Sequence, residues 1–100
     1  MRIACCQLDI VWENKRANHE RARTLLKNTT LPRGTLLLLP EMFSTGFSMN
    51  VPAIKEGAAK ESERFLAAAA QEFGLYVLGG VVNEDAGGKG RNEAVLFSPE

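Results

Sequence analysis

The chain has 100 residues, with 12 basic side chains, 12 acidic ones and a single histidine, so its formal net charge is zero. Apolar residues make up 45% and charged residues 24%; these are the proportions of ordinary soluble proteins and exclude a disordered, collagen-like or coiled-coil chain. Neutrality argues against a nucleic-acid partner or an anionic membrane surface, since both call for a basic face. The longest apolar run, Leu36 to Leu39, is closed by Pro40 and is far too short to span a bilayer. Near the N-terminus, Asp9 interrupts the apolar stretch that follows Arg2 and no small-residue cleavage site follows, so no secretory signal is expected. Such a length suffices for one domain with a modest core.

Arg2 to Ile10 is an apolar run suited to a buried strand. Its adjacent cysteines, Cys5 and Cys6, point to opposite faces and cannot easily bridge each other, so two small buried thiols in a reduced, cytoplasmic protein are expected. Asn14 is placed to cap a helix in which Ala22, Leu25, Leu26 and Thr29 form one apolar face. A turn at Pro32 to Gly34 leads to a second strand, Thr35 to Leu39, whose unbroken apolar character fits a sheet covered on both faces. Ser44 to Gly57 has no steady period and reads as a loop with room for a short helical turn. Ala59 to Phe73 is a second helix burying Phe65, Leu66, Ala69, Ala70 and Phe73, with Gly74 as its C-terminal left-handed residue. Leu75 to Val82 is a third strand. After a turn-rich loop at Asp85 to Gly90, Asn92 to Phe97 is a fourth, antiparallel to it. The order β-α-β-α-β-β gives an α/β class with right-handed crossovers and a largely parallel sheet.

Glu41 stands out chemically. It follows the carboxyl end of the most apolar strand, the edge at which ligand sites gather in open α/β sheets. A carboxylate surrounded by four leucines, Pro40, Met42 and Phe43 is expected to be buried and suited to general-base work; equally, it could turn outward or cap a backbone amide. Gly79-Gly80 lies within a strand and lacks the spacing of a dinucleotide fingerprint, and Gly88-Lys89-Gly90 has no hydroxyl residue after the lysine. Packing glycines and a hairpin loop are the better readings. His19 is flanked by charge and is expected to be solvated, and Cys5 and Cys6 have no base beside them in sequence.

The ordered set of segments resembles the nitrilase superfamily of carbon–nitrogen hydrolases. It comprises Ile3 to Asp9 in the first strand, Asn18 in the helix, Leu38 to Phe43 after the second strand, Gly79-Gly80 in the third, and Asn92 opening the fourth. The stretch Pro40 to Met49 looks most like the bacterial omega-amidase branch, which hydrolyses the terminal amide of 2-oxo acids such as 2-oxoglutaramate and 2-oxosuccinamate. The resemblance implies a Glu-Lys-Cys triad: a cysteine thiolate attacks the amide carbon, a glutamate serves as general base, and a lysine stabilises the oxyanion. It assigns the glutamate's role to Glu41. Phe43 and Thr45, with Phe47 and Met49, are candidates to line the substrate pocket, though packing of the loop against the sheet explains them equally well.

By the same resemblance the lysine and the nucleophilic cysteine belong to segments after the fourth strand. Lys89 precedes that strand, and Cys5 and Cys6 lie in the first, so residues 1–100 carry one triad member and read as the N-terminal portion of a single hydrolase domain. The family fold is an α-β-β-α sandwich, of which these residues supply part of one layer pair. The apolar faces of the third and fourth strands are then expected to lie open, and the chain alone to be weakly stable or to associate. The resemblance implies no metal or organic cofactor, a small-molecule amide substrate, and a homodimer for the complete protein. The competing readings are an amidase of another substrate class, a catalytically dead piece, and a non-catalytic α/β binding module.

Overall fold

A computed structural model describes residues 1–100. Its elements are β1 (Ile3–Cys5), α1 (Lys15–Lys27), β2 (Leu36–Leu38), α2 (Val51–Ile54), α3 (Glu61–Phe73), β3 (Tyr76–Glu84) and β4 (Gly90–Phe97). The four strands form one sheet in the order β1-β2-β3-β4. The first three are parallel and β4 runs antiparallel to β3, in the register Val77↔Phe97 through Glu84↔Gly90. The α/β class and the closing hairpin are as the sequence implies, and the loop after Glu41 does contain a helical turn, α2.

Residues that alternate along a strand lie on opposite faces, so register divides the sheet. On one face Ala4, Leu37 and Val77 stand in line, continued by Leu39 and Val81. Helices α1 and α3 cover this face, adding Leu26, Leu66, Ala69 and Ala70 to a core that also holds Phe43 and Leu75. Gly74 ends α3 at φ 68, and its amide returns to Ala70 O. Phe65 and Phe73 are only partly buried, at the rim of this core.

The opposite face carries Cys5, Leu38, Leu78 and Leu96 in one row and Ile3, Leu36 and Tyr76 in the next. Nothing packs over these two rows, where Ile3 is 62% and Leu96 58% exposed; only the far end of this face, at Gly80 and Val82, is met by the turn after β2 and by Ile54 of α2. This corrects two expectations. β2 is buried on one face only, and Cys5 is exposed because it projects from edge strand β1 on the uncovered side. Its neighbour Cys6 is half-buried against the core, and burial pushes its thiol above the ordinary cysteine range.

Two further differences have local causes. β1 is shorter than expected: Cys6 N still donates to Leu38 O, but β2 then runs into Pro40, which has no amide to offer. In α1 the buried stripe is Asn18, Ala22 and Leu26, whereas Leu25 is 41% exposed and Thr29 lies beyond the helix end. Spacing alone allowed either stripe; Asn18 turns inward because it finds three partners there.

The bare face and the free edge of β4 predict self-association. Sedimentation at micromolar concentration is expected to show species larger than the 10.9 kDa chain. A single monomeric boundary with a sharply cooperative unfolding transition contradicts this.

Candidate active site

Glu41 opens a turn directly after β2. Leu39 N donates to Leu78 O, which keeps the chain on the sheet until Pro40. The turn then crosses β3 at Gly80, where a Cβ would come within 2.8 Å of Glu41 Cα and 2.9 Å of Met42 N. Real Cβ contacts with backbone atoms are never that close, so only glycine lets Glu41 pass there. Gly79 serves the other face in the same way: its Cβ would meet Leu66 at 3.0 Å and Phe43 at 3.2 Å. The packing reading of the glycine pair therefore holds, and the pair also sets where Glu41 sits.

Met42 adopts φ 52, and its carbonyl accepts from Thr45 N at 3.2 Å and Gly46 N at 2.9 Å. A left-handed non-glycine residue next to Glu41 is local strain that neighbouring contacts must hold in place. The turn is bound to the segment after β1 as well. Glu13 N donates to Thr45 O at 2.7 Å, and Ser48 Oγ to Glu13 Oε2 at 2.6 Å.

The Glu41 side chain is exposed, contrary to the burial expected from its apolar neighbours in sequence. Of those neighbours Leu37, Leu39 and Phe43 turn into the helix-side core, Met42 packs with Ile54 and Val82, and the carboxylate is left on the uncovered face beside Leu38. There Asn92 Nδ2 donates to Glu41 Oε2 at 2.9 Å, and the two residues share an open hollow of about 340 Å³ with Leu39, Leu78, Gly80 and Ala94. One carboxylate oxygen is thus engaged, and Oε1 is left to take a proton. Asn92 is a site residue that the motif order contained but whose contact with Glu41 no spacing could reveal.

Phe43 and Thr45 are placed elsewhere. Phe43 is fully buried and packs between Leu66, Gly79 and the rings of His19 and Phe65. Thr45 is 4% exposed and donates to Gly46 O. Neither lines the hollow beside Glu41. Phe47 and Met49 are exposed.

His19 is not solvated as expected. Its ring stacks on Phe65 with centroids 4.7 Å apart, and Nε2 lies 3.1 Å from Ser62 Oγ. Burial pushes its pKa below the ordinary 6.5; Glu56 and Glu61 pull it upward and Lys15 lowers it further. The unfolded chain therefore takes up this proton first as pH falls. Stability is full above 6.5, declines as pH drops from there toward the lower folded value, and then levels. Urea midpoints are expected to fall in that window and to lose this slope in His19→Gln; an identical slope in the variant contradicts the assignment.

The sequence profile of the carbon–nitrogen hydrolases matches residues 2–100. The chain belongs to that family. Zebrafish (Danio rerio) omega-amidase NIT2 is 33% identical over 102 residues, covering 99% of this chain and 36% of that protein. The human omega-amidase NIT2 is 29% identical over 100 residues with the same coverage. The chain thus spans about a third of the length of these curated relatives. Among solved structures, XC1258 from Xanthomonas campestris, a CN-hydrolase superfamily protein with an arsenic adduct in its active site, superposes with a TM-score of 0.84 at 22% identity, over 99% of this chain and 37% of that one. An N-terminal amidase in complex with a Gln-Val peptide gives 0.80 at 21% identity, over 97% and 25%. At those identities the likeness concerns the fold.

Proposed function

We propose that this carbon–nitrogen hydrolase chain is the base-bearing part of an omega-amidase, which releases ammonia from 2-oxo acid amides such as 2-oxoglutaramate and 2-oxosuccinamate. The observation that carries the reading is the position of Glu41. Its carboxylate stands at the carboxyl end of β2 on the uncovered side of the sheet, set there by Gly80 and turned by Asn92. The omega-amidase names of the curated relatives support the substrate class.

In the complete site a cysteine thiol gives its proton to Glu41 and the thiolate attacks the amide carbon. A lysine holds the resulting oxyanion. Glu41 then passes the proton to the departing ammonia, and afterwards removes one from the water that hydrolyses the thioester. Phe43 and Thr45 serve this chemistry from behind, through the packing of the Glu41 turn. The complete protein is a cytoplasmic homodimer and needs no metal or organic cofactor.

Because the lysine and cysteine of that triad match no position in residues 1–100, the purified 100-residue chain is expected to release no ammonia from 2-oxoglutaramate. Steady release from it would overturn the assignment of a three-residue mechanism.

A further inference from the structure

Beneath the Glu41 turn lies a buried polar column that the chemistry above does not use. Asn18 and Ser62 are fully buried, and Ser44 and Glu56 are each 3% exposed. Glu56 sits 2.5 Å from Lys15 Nζ, accepts from Ser62 N at 2.6 Å and lies 3.2 Å from Ser62 Oγ. Ser62 Oγ also lies 2.9 Å from Ser44 Oγ and 3.1 Å from His19 Nε2. Asn18 Nδ2 donates to Ser44 O at 2.7 Å and to Val11 O at 2.8 Å, and Asn18 Oδ1 accepts from Val11 N.

The protons in this column can be assigned. A serine hydroxyl donates once and accepts twice. Ionised Glu56 only accepts, so Ser62 gives its proton to Glu56. Its two lone pairs then take the Ser44 hydroxyl proton and a proton on His19 Nε2. Every group is satisfied, and Ser62 is the junction at which the chain of bonds leaves the charged pair and reaches Ser44.

None of these residues lines the hollow beside Glu41. Buried charge and buried hydroxyls are poor general stabilisers compared with apolar packing, but they select one arrangement of the backbone they bond to. The backbone selected here is the turn of Met42 to Gly46, gripped at Ser44 by both its carbonyl and its hydroxyl. The left-handed Met42 persists in the strained turn that this grip closes.

We propose that Ser62 is a positioning residue for Glu41: anchored on the Glu56–Lys15 pair, it holds Ser44 and thereby the turn that fixes the carboxylate. The proposal builds on the reading of Glu41 as the base. It is tested on the 100-residue chain without turnover, so its failure and the failure of that reading are separate outcomes.

The test is amide hydrogen exchange in Ser44→Ala, Ser62→Ala and the double variant, together with the Asn92 side-chain amide resonance, which reports the Glu41 contact. Each single variant is expected to speed exchange at Thr45 and Gly46 by about tenfold, the loss of one hydrogen bond. Leu39, on the adjoining sheet, should keep its protection. The double variant should go no further than the singles, because both remove the same link. The Asn92 signal should shift toward its position in Glu41→Ala. Should Ser62→Ala fail to fold, Ser44→Ala, which leaves Ser62 on Glu56, decides alone. Unchanged exchange at Thr45 and Gly46, multiplication of the two effects, equal loss throughout the chain, or an unmoved Asn92 signal would each overturn the proposal.

Discussion

Glu56→Ala is expected to lower the unfolding free energy by about 3–5 kcal/mol, the range for removing one member of a buried ion pair. Glu56 and Lys15 side chains are 2% and 19% exposed, so little solvent screening softens the loss. The variant leaves Lys15 with one long bond, to Lys55 O at 3.3 Å, and strips the carboxylate from Ser62 N in the first turn of α3. An unpartnered amide there adds the loss of a helix cap, about 1 kcal/mol. Helix α3 supplies Leu66, Ala69 and Ala70 to the core, so its loosening reaches the whole sheet. Denaturant unfolding checks this directly: a loss below about 1 kcal/mol would mean that the pair is solvated like a surface bridge.

Glu41→Gln should do the reverse, sparing the fold and removing the chemistry. Glutamine has the same shape, and its carbonyl oxygen can still accept from Asn92 Nδ2, the contact now made by Glu41 Oε2. Glu41 is exposed, so the change buries no new polar group. What glutamine cannot do is take a proton from a thiol or a water. General-base catalysis is worth about a hundred- to ten-thousand-fold in rate. The unfolding midpoint of the variant should stay where the parent's lies while turnover falls by that factor in a protein that joins this chain to the family's lysine and cysteine.

Much of this architecture is legible in the residues because the signals are local. The hairpin of β3 and β4 follows from two apolar runs around a loop of glycines. Gly74 marks the end of α3, and the apolar spacing of α3 marks its buried face. Glu41 is visible as a carboxylate at a strand end, and its place in the motif order singles it out. What the sequence hides depends on partners distant in the chain. Cys5 and Leu25 look like core residues, but their exposure depends on which faces the other elements cover. His19 and Glu56 look like surface residues, yet His19 is half-buried and Glu56 buried because Ser62, Phe65 and Lys15 converge on them. The contact of Asn92 with Glu41 likewise exists only once β4 has folded beside β3.

The most direct test of Glu41 as the general base is the initial rate of ammonia release from 2-oxoglutaramate by a protein that carries this chain together with the triad lysine and cysteine, measured beside its Glu41→Gln variant. Release by the parent and a loss of at least about a hundred-fold in the variant, with folding unchanged, is the predicted result. Equal rates in the two proteins would contradict it.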